Sequence, residues 1–117
     1  MENKAVGETV IVVGKDFTDT PIGRYKKESR YSGEAFRDDF LVPALQKGKV
    51  CVDLACVEGY GSSFLEEVFG GIVRAHVLPN QELKDRLRII STDVALKPFA
   101  DRAIKYFNDA ITAEEVK

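Results

Sequence analysis

Two kinds of apolar pattern alternate along the chain, and this alternation narrows the fold more than any single motif does. Thr9-Val10-Ile11-Val12-Val13 is short and rich in β-branched residues, as a buried strand is, and Gly14 ends it. Lys49-Val50-Cys51-Val52-Asp53-Leu54-Ala55 reads as a second, central strand with Val50, Val52 and Leu54 on one face, and Leu87-Arg88-Ile89-Ile90-Ser91 as a third. Helical spacing governs the segments between and after them. Ser32 caps a helix carrying Phe36, Phe40, Leu41, Ala44 and Leu45, which Pro43 bends and Gly48 stops. Phe64, Leu65, Val68, Phe69, Ile72 and Val73 mark a second helix running through Arg74. A short helix from Glu82 to Arg86 follows, then a last one packing Phe99, Ala100, Ala103, Ile104, Phe107 and Ile111 and fraying towards Lys117. The order predicts an α/β fold: a sheet of about four strands packed with helices, joined by right-handed crossovers.

A chain of 117 residues has room for one such domain, spanning 1–117. Its formal charge of −2 provides no basic excess for a nucleic-acid footprint, so nucleic acid is not expected as a partner. No stretch approaches the ~20 apolar residues of a membrane span. Met1-Glu2-Asn3-Lys4 lacks the regions of a signal peptide, so the expected location is cytoplasmic, with no membrane partner. Cys51 and Cys56, in or beside an apolar segment, read as free thiols rather than a disulfide or metal pair.

The polar stretch from Lys15 to Tyr31 reads as a long loop with a short strand near Arg24-Tyr25. Asp16 and Arg24 flank it. They suit a loop-anchoring salt bridge, or a polar cluster near the second long helix in which Arg24 partners an anion or a carboxylate. Lys26, Lys27 and Arg30, with Glu28 among them, read as a solvated loop.

From Val52 to Glu67 the chain passes from strand end through Glu58-Gly59-Tyr60-Gly61 into a helix start at Ser62-Ser63. Unpaired amides and the helix dipole favour an anion there, whether a free phosphate, a nucleotide or a phosphoserine. Ser63-Phe64-Leu65-Glu66 also spells a capping box, in which Ser63 caps the first turn and Glu66 reaches back to it. Glu66 and Glu67 diverge by about 100° on a helix, so they read as a cap and a solvated face rather than an acid/base pair. The Walker pattern and the Gly-x-Ser-x-Gly elbow are both absent, and the lone His76 reads as a helix-end residue. Catalytic residues, metal and cofactor are therefore not expected, and the reading is non-enzymatic.

Several segments together resemble the STAS-like domains of the DUF4325 group, relatives of bacterial anti-sigma factor antagonists. They are Lys15-Asp16-Phe17, Gly23-Arg24-Tyr25, Ser32-Gly33-Glu34-Ala35-Phe36-Arg37, Val52-Asp53-Leu54, and the run from Gly61-Ser62-Ser63 to Gly70-Gly71. The resemblance implies a STAS-type fold and a regulatory, protein-binding role. In those antagonists an Asp-Ser-Ser-Gly motif carries a serine phosphorylated by a GHKL-type kinase, and the matching positions here are Ser62 and Ser63, with Ser63 as the switch. Gly61 stands where that motif has Asp, and Phe64 where it has Gly. The implied partner is a GHKL-type kinase or anti-sigma-like regulator, and the candidate contact residues are Asp16, Arg24, Gly61, Ser62, Ser63 and Glu66. Two alternatives stand beside this: a small-ligand or nucleotide sensor using the Ser62-Ser63 helix start as an anion site, and a small enzyme with the long loop as a lid.

Overall fold

The computed structural model describes residues 7–116. Three strands, β1 (Glu8–Val12), β2 (Lys49–Asp53) and β3 (Leu87–Ile90), form an all-parallel sheet in the order β1-β2-β3. The register aligns Val10 with Cys51 and Cys51 with Arg88. Alternation along each strand sends Ile11, Val50, Val52 and Ile89 into the main core, whereas Cys51 lies on the other side, beneath an ion pair from Arg88 to Glu8 at 3.0 Å.

The sheet has three strands among the described residues, against an expectation of about four. The segment expected to add a short strand, Arg24-Tyr25, is a turn instead. Both its amides bond Glu28 Oε1, and the Arg24 carbonyl accepts from the Glu34 amide, so its backbone groups are spent locally.

Helix α1 (Gly33–Phe36) begins as expected at Ser32, whose buried hydroxyl accepts from the Ala35 amide at 3.2 Å. It passes through a wide π-turn, Arg37–Leu41, into α2 (Val42–Lys47). Pro43 lies in the first turn of α2, has no N–H, and would crowd the carbonyl four residues back. Widening the preceding turn, so that the Val42 amide bonds the Arg37 carbonyl, accommodates that ring without a break.

Helices α3 (Ser62–Phe69) and α4 (Gly71–Arg74) follow each other through Gly70, then α5 (Asn80–Arg86) and, after β3, a 3₁₀ turn (Val94–Leu96) and α6 (Lys97–Glu115). Along α6, Ala100, Ala103, Phe107 and Ile111 form one buried line. Ile104, expected in the core, sits off that line and is exposed. Phe17 closes the core from the loop side, with its ring 5.2 Å from Phe36 and 5.1 Å from Phe40. Such edge-on pairs add about 0.5–1.5 kcal/mol each beyond the area they bury. Among the described residues no helix is long and apolar enough to cross a membrane. The Met1-Glu2-Asn3-Lys4 segment and Lys117 lie outside the described residues.

Candidate functional site

The start of α3 stands at the carboxyl end of β2, where the connecting loop is held from several sides. Asp53, 4% exposed, accepts from the Ala55 amide at 3.1 Å, the Thr92 amide at 3.0 Å and the Thr92 hydroxyl at 2.7 Å, tying this loop to the segment after β3. The buried Tyr60 hydroxyl donates to the Leu54 carbonyl at 2.7 Å, and burial pushes its pKa well above the usual phenol value. Gly14 passes so close that a Cβ there would lie 2.0 Å from the Cys56 carbonyl oxygen, which only glycine permits. Cys56 itself is exposed and left-handed, at φ 69°, and Cys51 is buried; both thiols are free.

These restraints deliver Gly61 as the N-cap of α3, in an extended conformation with φ −78° and ψ 149°. No side chain caps this helix. Gly61, Ser62 and Ser63 are all exposed, and nothing lies within 4 Å of where a Gly61 Cβ would stand. The capping box expected from Ser63 and Glu66 therefore does not form: Ser63 sits inside the helix, one position past its first residue. Glu66 is drawn away by two arginines.

Those arginines belong to a network on the adjoining face of α3. Arg24 reaches from the long loop to Glu66 at 2.6 Å and Glu67 at 2.9 Å. Arg74 of α4 holds the other Glu66 oxygen at 2.7 Å, and Arg37 bonds Glu67 and Asp38. Burial pushes the Glu66 carboxyl up, but the bonds from Arg74 and Arg24 outweigh it and leave its pKa below the usual carboxylate value. The bond to Glu66 likewise raises the Arg24 guanidinium, against a smaller opposing effect of burial.

Glycines make room for these long side chains and for the helices that carry them. A Cβ on Gly33 would lie 2.7 Å from the Phe64 carbonyl oxygen, and one on Gly71 would lie 2.6 Å from Arg37 Nη1. Glu67, expected on a solvated face, is 8% exposed. Both glutamates serve as structural anchors, and Arg24 is the carboxylate partner that anchors the loop. Asp16 is not drawn into this network; its carboxylate accepts from the Val12 amide at 2.7 Å.

The long loop is tied down at several points. Besides Arg24, the Ile22 amide bonds the Tyr31 carbonyl and the Gly33 amide bonds the Gly23 carbonyl, each at 3.0 Å. His76, exposed and left-handed at φ 53°, sits 2.7 Å from Glu114. No group of three metal-ligating side chains occurs among the described residues. The anchoring roles of Arg37, Arg74 and Glu67 escaped the sequence reading. The signal that marks them is the placement of Gly33 and Gly70-Gly71 inside helical pattern, where glycine is unfavourable unless something must approach closely.

Residues 32–97 match the family described as a STAS-like domain of unknown function, DUF4325. The chain belongs to this STAS-like family. The family span runs from the Ser32 cap to the first residue of α6, and so contains the Gly61-Ser62-Ser63 helix start together with Arg37, Glu66, Glu67 and Arg74. Arg24 and Asp16 enter from outside the STAS-like span. No curated protein and no solved structure matches the chain.

Proposed function

We propose that this STAS-like domain is a non-enzymatic regulatory module that docks a protein partner on the start of α3, with phosphorylation of Ser63 as its switch. The observation that carries the reading is the presentation of Gly61, Ser62 and Ser63: exposed, uncapped, and mounted on a rigidly pinned loop. A GHKL-type kinase or anti-sigma-like regulator is the partner class, taken from the resemblance to anti-sigma factor antagonists. A dianionic phosphate on Ser63 would alter the contact by charge and bulk, while the helix dipole would tolerate it.

The position of Ser63 makes the test clean. Because its hydroxyl caps nothing, Ser63→Ala removes no structural bond, and Ser63→Glu adds a negative charge where the helix dipole favours one. Wild type, Ser63→Ala and Ser63→Glu proteins are used to capture partners from native-host lysate, with circular dichroism confirming equal folding. A GHKL-type protein held by wild type and Ser63→Ala but lost with Ser63→Glu supports the switch. The same retention by all three, or none, rejects it.

The uncapped first-turn amides of α3 favour one second reading, an anion site for a phosphate-bearing small ligand at Ser62-Ser63. Saturable calorimetric binding of inorganic phosphate or a nucleotide, weakened by Ser63→Glu, would establish that reading instead.

A further inference from the structure

Beside the outer edge of β1 runs a groove of about 360 Å³, within the size range of small-ligand sites, and one residue of the strand turns its backbone groups into it. In a parallel ladder each residue points its N–H and C=O to one side, and successive residues alternate. The Leu54 amide bonds the Ile90 carbonyl on the β3 side, which leaves Cys51 and Asp53 to bond β1 through Thr9 and Ile11. Val10 therefore directs its amide and carbonyl outward, and neither meets a partner among the described residues. This open stretch is one residue long. The Val12 amide is taken by Asp16, Val12 stands as the N-cap of the π-turn Val13–Phe17, and Glu8 is buried at the other end. A whole strand finds no continuous ladder there.

Charges mark the two ends of the groove. Gly48 turns the end of α2 directly into β2, and a Cβ on it would lie 3.5 Å from the Gly7 carbonyl oxygen, so Lys47 stands at the Thr9 end. Asp39 precedes Lys47 by about two helical turns and lies with Asp16 at the Val12 end. Between the charges, Phe40, Pro43 and Ala44 form an apolar wall on the core side of the edge, the side to which Ile11 points. From Thr9 to Val12 the strand advances about 10 Å, which is also the length of an extended tripeptide.

We propose that this groove binds a free tripeptide, laid antiparallel to β1 with its middle residue opposite Val10. That residue exchanges both backbone bonds with Val10. The antiparallel direction places the peptide's ammonium beside Asp39 and Asp16 and its carboxylate beside Lys47, which has no carboxylate partner among the described residues. The parallel direction would set each terminus against a like charge. Residues directly opposite on an antiparallel pair share a face, and Val10 points with Cys51 away from the core, so the first and third side chains turn towards Phe40, Pro43 and Ala44. The ligand class is a short peptide with free termini, apolar first and third residues, and a middle side chain that meets solvent. None of these residues lies at the start of α3, so the groove is tested independently of the Ser63 switch.

Calorimetric titration of the full chain with the tripeptide Val-Ser-Val, beside its N-acetylated and C-amidated forms, provides that test. Saturable binding is expected, and capping either terminus should weaken it by about fivefold, the loss of one exposed ion pair. Lys47→Glu, a surface change, should weaken the free peptide to the same degree and remove its advantage over the C-amidated form. Val10→Pro deletes only an outward amide, which an edge strand tolerates, and should weaken binding by about tenfold with an unchanged far-ultraviolet spectrum. Asp39 also holds Lys26 at 3.6 Å, so the ammonium contact is probed by acetylating the peptide rather than by changing Asp39. An absence of saturable heat overturns the proposal. So does equal affinity for the capped peptides, or wild-type affinity in the Lys47→Glu or the folded Val10→Pro protein.

Discussion

Ser32 and Ser63 both stand at helix starts and look alike in sequence, yet their surroundings divide them. Ser32 is fully buried and its hydroxyl satisfies the Ala35 amide, so Ser32→Ala should lower stability by about 1 kcal/mol. Ser63→Ala, by contrast, should stay within about 0.5 kcal/mol of wild type. Urea unfolding of the two variants side by side checks the contrast. Glu66 carries a pH dependence of its own. Its folded pKa lies below the ordinary 4.5, so its stabilising contribution is complete above that value and is lost as pH falls further, through the folded pKa. Melting temperatures followed downwards from pH 4.5 should therefore fall more steeply for wild type than for Glu66→Gln, which has no carboxylate to protonate.

At the scale of elements, α1 and α3 pack against each other through Gly33. Adding one methyl there would push into the Phe64 backbone at 2.7 Å and Glu67 Cβ at 2.9 Å, neither of which is a loose side-chain end. Gly33→Ala should cost about 1–3 kcal/mol, read as an earlier urea midpoint. The elements themselves were largely legible in sequence, because period two and period 3.6 are visible within a few residues of each other. The π-turn at Arg37–Leu41 was not, since its wider winding leaves the spacing of Phe36, Phe40 and Leu41 almost unchanged. The arginine–glutamate network was hidden for a different reason. Its members come from the long loop, the π-turn, α3 and α4, and nothing local to Glu66-Glu67 announces that Arg24, Arg37 and Arg74 will converge on them.

Across the whole molecule, one sheet face and the helices share a single main core, and the two ends of the parallel strands play different parts. The carboxyl end gathers Asp53, Thr92, Tyr60 and the start of α3 into a stiff platform. This is the end at which open α/β sheets generally present ligands and partners. The Gly61-Ser62-Ser63 helix start could be located there from sequence, because a strand, a glycine-bearing turn and an amphipathic run follow in order. Its uncapped state follows from where the helix begins: Gly61, which has no side chain to offer, takes the N-cap position ahead of both serines. The unlike settings of the two cysteines near this platform have a practical consequence. Burial raises the pKa of Cys51, which suppresses its thiolate, while Cys56 is open to solvent five residues before Gly61. A thiol-directed fluorophore should thus attach at one point without any mutagenesis, giving the native protein a built-in optical reporter whose emission registers whatever arrives at the neighbouring helix start.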